Sequence, residues 1–118
     1  MKSQIYANQD TFRSIIYTQS HSTLVLRRPM SYEPHLAKNI DITFYGVFYI
    51  EIVSNFFGIE IKMPNEEDVA YINSRCSHPY GDLSKFVYVL HSADKKYYVA
   101  ASQLEISDNE LTGNNINV

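Results

Sequence analysis

The chain is expected to fold as an α+β protein, mostly β, with an antiparallel sheet of about six to eight strands in hairpins and one short helix near residues 66–76. Three features point there. In Ile40–Ile52, the residues Ile40, Ile42, Phe44, Phe48, Ile50 and Ile52 alternate with Asp41, Thr43, Tyr45, Tyr49 and Glu51, as in a strand with one buried face. Paired β-forming runs surround short polar breaks near both ends of the chain. Pro64 to Asp68 reads as the start of a helix.

Residues 1–10 are polar and are expected as an N-terminal arm or a short edge strand around Ile5 and Tyr6. Phe12–Thr18 and Thr23–Arg28 follow as a hairpin turning at Ser20-His21. That turn opposes Tyr17 to Leu24 and Ile15 to Leu26, and also Arg13 to Arg28, an unfavourable pair of like charges. Pro29 ends the second strand because it donates no ladder bond. Pro29–Asn39 is the longest irregular stretch of the interior, and loops of that length are often functional.

Gly46 interrupts the alternating run and is expected to mark a bend or a bulge. The run restarts as Phe57, Ile59, Ile61 and Met63. A turn at Ser54-Asn55 sets Ile52 opposite Phe57, Ile50 opposite Ile59, Phe48 opposite Ile61 and Tyr49 beside Glu60. A one-residue slip would bury Glu60 and Lys62.

The helix start has Asn65 as its cap, acids at Glu66, Glu67 and Asp68, and an apolar stripe of Val69, Ile72 and Cys76. It ends by His78-Pro79 and a turn at Tyr80-Gly81-Asp82. Lys85–Ser92 is apolar at almost every position, as in a strand covered on both faces. A polar turn at Ala93–Lys96 leads to a long returning strand that sets Leu90 near Val99 and Tyr88 near Ala101. Residues 112–118 form a polar tail of disordered composition. The pattern is compatible with a partly open barrel or a two-layer sandwich.

At 118 residues the chain is expected to be one domain. Its hydrophobic content of 45% and charged content of 19% are those of a soluble globular protein. A net charge of −3 argues against nucleic acid. No run is long enough to span a membrane and no apolar leader follows Met1. The single cysteine, Cys76, precludes an internal disulfide. A cytoplasmic protein is expected.

Chemistry is hard to find in the sequence. Cys76-Ser77-His78 offers a thiol near an imidazole, but Cys76 continues an apolar stripe at a helix C-terminus, where the dipole disfavours thiolate. Ser77, His91 and Asp94 can be written as a triad, yet no GxSxG elbow surrounds a serine. The histidines at 21, 35, 78 and 91 lack metal-ligand spacing, and the four glycines are too scattered for a phosphate loop. No catalytic residue, metal site or cofactor is expected.

Strand parity and the Ser54-Asn55 hairpin gather Asp41, Tyr45, Tyr49, Glu51 and Glu60 on one face. Aromatic anchors ringed by acids suit a protein partner of basic character. The competing structural reading has the helix covering part of this face. Small, acidic, tyrosine-rich chains without catalytic motifs are commonly binding partners, toxin-neutralising immunity proteins of bacteria among them. The expected function is therefore a non-enzymatic protein-binding module, of the immunity type or another partner-neutralising kind. Homo-oligomerisation through an edge strand is a further expectation. The alternatives are a β-rich domain holding a small molecule between helix and sheet, and third, a small enzyme with a spatially assembled site.

Overall fold

The computed structural model describes residues 4–18, 22–76, 83–113 and 115–116. The strands are β1 (Gln4–Thr18), β2 (Thr23–Arg28), β3 (Asn39–Tyr45), β4 (Tyr49–Glu51), β5 (Asn55–Lys62), β6 (Val87–Ser92), β7 (Lys95–Ala100) and β8 (Gln103–Asn109). Among the described residues one α-helix, α1 (Glu66–Arg75), stands between β5 and β6. All eight strands form one open antiparallel sheet in the order β4-β7-β6-β5-β1-β2-β3-β8, so the chain is mostly β as expected. The turns expected at Ser20-His21 and Tyr80-Gly81-Asp82 lie outside the described residues.

The alternating run from Ile40 is two strands, broken where Gly46 takes a φ of +63°. The returning run from Lys95 is likewise two strands, broken at Ala101-Ser102. These two runs pair along their whole length, from Asn39 opposite Asn109 to Tyr45 opposite Gln103, then from Tyr49 opposite Ala100 to Glu51 opposite Tyr98. Across the break, Ser102 N donates to the Tyr45 carbonyl and Phe48 N to that of Ala100, each at 2.9 Å. Continuous chain thus joins the two ends of the sheet order, and the sheet rolls around one interior. Phe12, Leu26, Ile42, Phe44, Phe56, Ile61, Leu90 and Val99 fill it. Phe44 meets Tyr88, and Phe56 meets Tyr97, edge to face.

The Ser54-Asn55 hairpin does not form. β4 pairs only with β7, whereas β5 lies between β1 and β6. Ser14 N donates to the Ser54 carbonyl, so this corner is tied to β1. Ile50, Ile52, Ile59 and Ile61 do face one interior, but alternation specifies a face and not a neighbour. Two local flips accompany the glycines. Val47 is interior and Phe48 packs under the helix, the reverse of the expected parity. Phe56 is buried and Phe57 exposed, because the alternation of β5 slips at Gly58, which takes a φ of +79° opposite the register shift between Asn8 and Thr11 of β1.

The other hairpins need smaller corrections. Tyr17 lies opposite Leu24 as expected, but a bulge between Ser14 and Ile16 moves Arg13 opposite Arg27 instead of Arg28. The β6–β7 turn uses only Ala93 and Asp94, at φ +51° and +63°. Leu90 therefore faces Tyr97, and Tyr88 faces Val99, two residues from the expected register. A shift of two leaves every side chain on its face. Gln4–Asp10 is the first half of β1, paired with β5.

Helix α1 begins with a capping box. The Asn65 side chain accepts from Asp68 N at 2.8 Å, and the Asp68 carboxylate accepts from Asn65 N at 3.0 Å. Ile72 is buried against Val87, Val89 and Tyr98, with Phe48, Tyr49, Tyr71 and Cys76 packed around them. The helix therefore covers the outer face of β4, β7 and β6.

Candidate functional site

Of the five residues expected to share a face, the structure brings Tyr49 and Glu51 together. Asp41 is buried on the outer side of β3, Tyr45 lies before the Gly46 bend with its hydroxyl 3.5 Å from Glu105, and Glu60 is on β5, separated from β4 by β6 and β7. Glu60 was expected there through a β4–β5 pairing that does not form, and Asp41 and Tyr45 through an unbroken strand that the Gly46 bend divides.

Tyr49 and Glu51 belong to a fastener under α1. Glu51 accepts from the Tyr49 hydroxyl at 2.6 Å and from the Tyr71 hydroxyl at 2.7 Å. The Tyr71 ring stacks on Tyr98 at 5.0 Å, and the Arg75 guanidinium lies over the Tyr71 ring at 4.9 Å. Tyr98 and Lys96 both donate to one oxygen of Asp68, at 3.1 and 3.0 Å. Burial pushes the Glu51 carboxyl up, but the two tyrosine hydroxyls and Arg75 together hold it below its ordinary value. Tyr49 is pushed up to about 12, first by its bond to Glu51 and then by burial. The protein's own groups satisfy these carboxylates, which supports the reading that the helix covers this face. The cluster joins helix to sheet.

A second stretch of outer face is also covered. Every residue of β2 is buried, and Arg27 on β2 binds Asp41 on β3 through two hydrogen bonds. Asn109 adds a third bond to Asp41 at 2.7 Å. The tail then folds back over this pair: Arg27 donates to the carbonyls of Gly113 and Asn115 at 3.2 and 2.8 Å, and Asn39 donates to that of Leu111 at 2.7 Å. The tail, disordered by composition, is anchored at Leu111, Gly113 and Asn115 because two buried side chains hold its backbone carbonyls.

The third stretch, across β1, β5 and the end of β6, is open among the described residues. It holds a cleft of about 470 Å³. Its lining includes Ala7 and Gly58, which carry little or no side chain to fill it. The slip at Gly58 turns Phe57 outward, leaving it 73% exposed in the cleft lining. Ser92 donates to the Gly58 carbonyl at 2.6 Å and so ties this position of β5 to β6. Glu60 lies between its cross-strand partners Ala7 and His91, and Asp94 adds a second carboxylate from the β6–β7 turn. Burial, then Lys62 and Lys96, push the His91 imidazole below its ordinary value against the pull of Glu60 and Asp68. The Glu60 carboxylate lies 3.6 Å from Lys62, with both side chains 35% exposed.

Sequence reasoning reached Glu60 but placed Phe57 in the core, and weighed His91 only for a metal or a triad and Asp94 only for the triad. Ser77, the third member, is outside the described residues. The signal for Phe57 was the doublet Phe56-Phe57 ahead of a glycine, because adjacent strand residues cannot both face one core.

Among the described residues, no group of three or more His, Cys, Asp or Glu is placed to hold a metal ion, and no helix is long and apolar enough to cross a membrane. Comparison with known proteins finds no matching family model, curated protein or solved structure.

Proposed function

We infer that the chain is a non-enzymatic protein-binding module of the cytoplasm, of a partner-neutralising kind, which docks its partner on the open outer face of β1, β5 and β6. The observation that carries this reading is Phe57, an aromatic ring 73% exposed on a strand whose neighbours Phe56 and Ile59 are buried. Covering such a side chain stabilises a complex by about 1.5–3 kcal/mol, enough for one residue to dominate an interface. The filled interior favours a surface role over a ligand held between helix and sheet, where Ile72, Tyr71 and Tyr98 already meet. Edge-to-edge pairing of two copies along β8 has less support, since Glu105 and Asp108 would bring like charges together.

The test is capture from a lysate of the source cell on immobilised protein, with Phe57→Ser in parallel. A species retained by the wild type is purified and titrated against both. The expected result is affinity weakened about tenfold or more by the substitution, with melting unchanged. Equal affinity would move the interface away from Phe57. The fallback is the loop at residues 29–38, whose base is pinned by the Met30 N to Asn39 and Arg28 to Lys38 bonds and whose Tyr32 is fully exposed.

A further inference from the structure

We propose that the cleft beside Phe57 receives a guanidinium or ammonium side chain from a basic segment of the partner, with Glu60 and Asp94 as its carboxylates and the Phe57 ring as its wall. This rests on the protein-binding reading and names the chemistry that the partner must present. Three observations converge on a cation.

The first is charge. The described lining includes the carboxylates of Glu60 and Asp94 and no lysine or arginine. The nearest competing cations are engaged elsewhere or weakly held. Lys96 is bonded to Asp68 at 3.0 Å. Lys62 reaches Glu60 at 3.6 Å in a half-exposed pair, a contact easily exchanged for a better-placed donor. Lys95 follows Asp94 in the chain and stands outside the lining.

The second is the ring. An exposed aromatic face beside carboxylates attracts a cation through its quadrupole, and more strongly once water is excluded. Phe57 has no hydroxyl to satisfy, so its ring is left with only apolar and cation–π contacts to make. The third is His91. It lines the cleft beside Glu60, where a neutral imidazole offers a ring nitrogen as acceptor. A planar guanidinium can bond a carboxylate side-on while stacking on the ring, which favours arginine over lysine.

The experiment uses the full chain and a short synthetic peptide with two arginines separated by glycines, followed by amide chemical shifts. A matched peptide carries citrulline, which has arginine's shape without its charge. The expected result is saturable shifts at Phe57, Gly58, Glu60, His91 and Asp94 with arginine, and binding at least about tenfold weaker with citrulline. Glu60→Gln and Asp94→Asn should each weaken arginine binding several-fold, while Lys62→Met should strengthen it by freeing Glu60. All three positions are half-exposed or exposed, so melting curves should be unchanged. Equal binding of the two peptides, absence of binding, or shifts confined to other strands would overturn the cation assignment. The two levels separate cleanly. A captured partner lost with Phe57→Ser but indifferent to Glu60→Gln and Asp94→Asn overturns the cation and leaves the docking face standing. A partner indifferent to Phe57→Ser overturns both.

Discussion

Arg27 grips Asp41 across β2 and β3 with two parallel hydrogen bonds, Nε to Oδ1 at 2.7 Å and Nη2 to Oδ2 at 2.9 Å, and each side chain is only 3% exposed. Two charges have been taken out of water here, and they are tolerable because each satisfies the other and the tail and Asn109 satisfy the rest. Such a pair specifies register: a slip of one residue would separate the fork from its carboxylate and leave both charges buried.

Removing one partner should therefore cost far more than removing both. Asp41→Leu leaves a buried guanidinium without its counter-charge and should lower stability by about 3–5 kcal/mol. The double variant Arg27→Met with Asp41→Leu should recover much of that loss. Urea denaturation of the three proteins decides it, and equal losses for the single and double variants would show that the pair is not the source.

Truncation after Leu111 should expose the same guanidinium. It removes the carbonyls of Gly113 and Asn115 from Arg27. Loss of hydrogen bonds to a buried charged donor should cost about 1–3 kcal/mol. A truncated chain that melts with the full one would mean water replaces the tail without penalty.

Gly46 should tolerate a side chain worse than Gly113, although both have φ +63°. At Gly113 an added Cβ meets nothing within 4 Å, so Gly113→Ala carries only the left-handed backbone cost of about 1–2 kcal/mol. At Gly46 it would come within 2.5 Å of the Ser102 hydroxyl, in the break that joins the ends of the sheet. Gly46→Ala should be the more destabilising by denaturant titration, and Gly46→Val more so again. Equal effects would remove the close approach from the account.

The fastener under α1 should make stability fall at both ends of the pH scale. Burial raises the Asp68 carboxyl, but the Asn65 amide, Lys96 and Tyr98 outweigh it, so its folded value lies below the ordinary 3.8. Glu51 likewise lies below 4.5. Groups depressed on folding stabilise above their unfolded values, and the benefit is lost as pH falls through the folded ones. Stability should thus decline below about pH 4.5, and Asp68→Asn should flatten part of that slope. Tyr49 and Tyr98 are both raised from 10.0 to about 12, Tyr98 chiefly by burial and then by its bond to Asp68. Their contribution is complete below 10.0 and lost as pH rises toward 12. Tyrosinate absorbance should show a late-ionising fraction, and Tyr98→Phe should shrink it and cost about 1.5–3 kcal/mol at neutral pH. A single ordinary tyrosine titration would contradict the arrangement.

Local chemistry was legible from the residues alone. The helix start at Asn65 follows from a capping box that needs only neighbours three residues apart, and Gly46 as a break follows from the run being too long for one strand. Face assignment in Ile40–Phe44 and Ile59–Ile61 was legible too, because the β period is two. Tertiary structure alone decided which strands are neighbours. A buried face is equally satisfied by any apolar partner across the interior, so Ile50 could be assigned a side but not the company of Val99. The cleft depended on that same decision: Glu60 meets His91 because β5 lies beside β6, and Phe57 leaves the core because one positive-φ glycine turns the strand. Asp41 shows the converse. Its alternation marked it as outward, and outward it is, but only the fold supplied Arg27, Asn109 and a returning tail to bury it there.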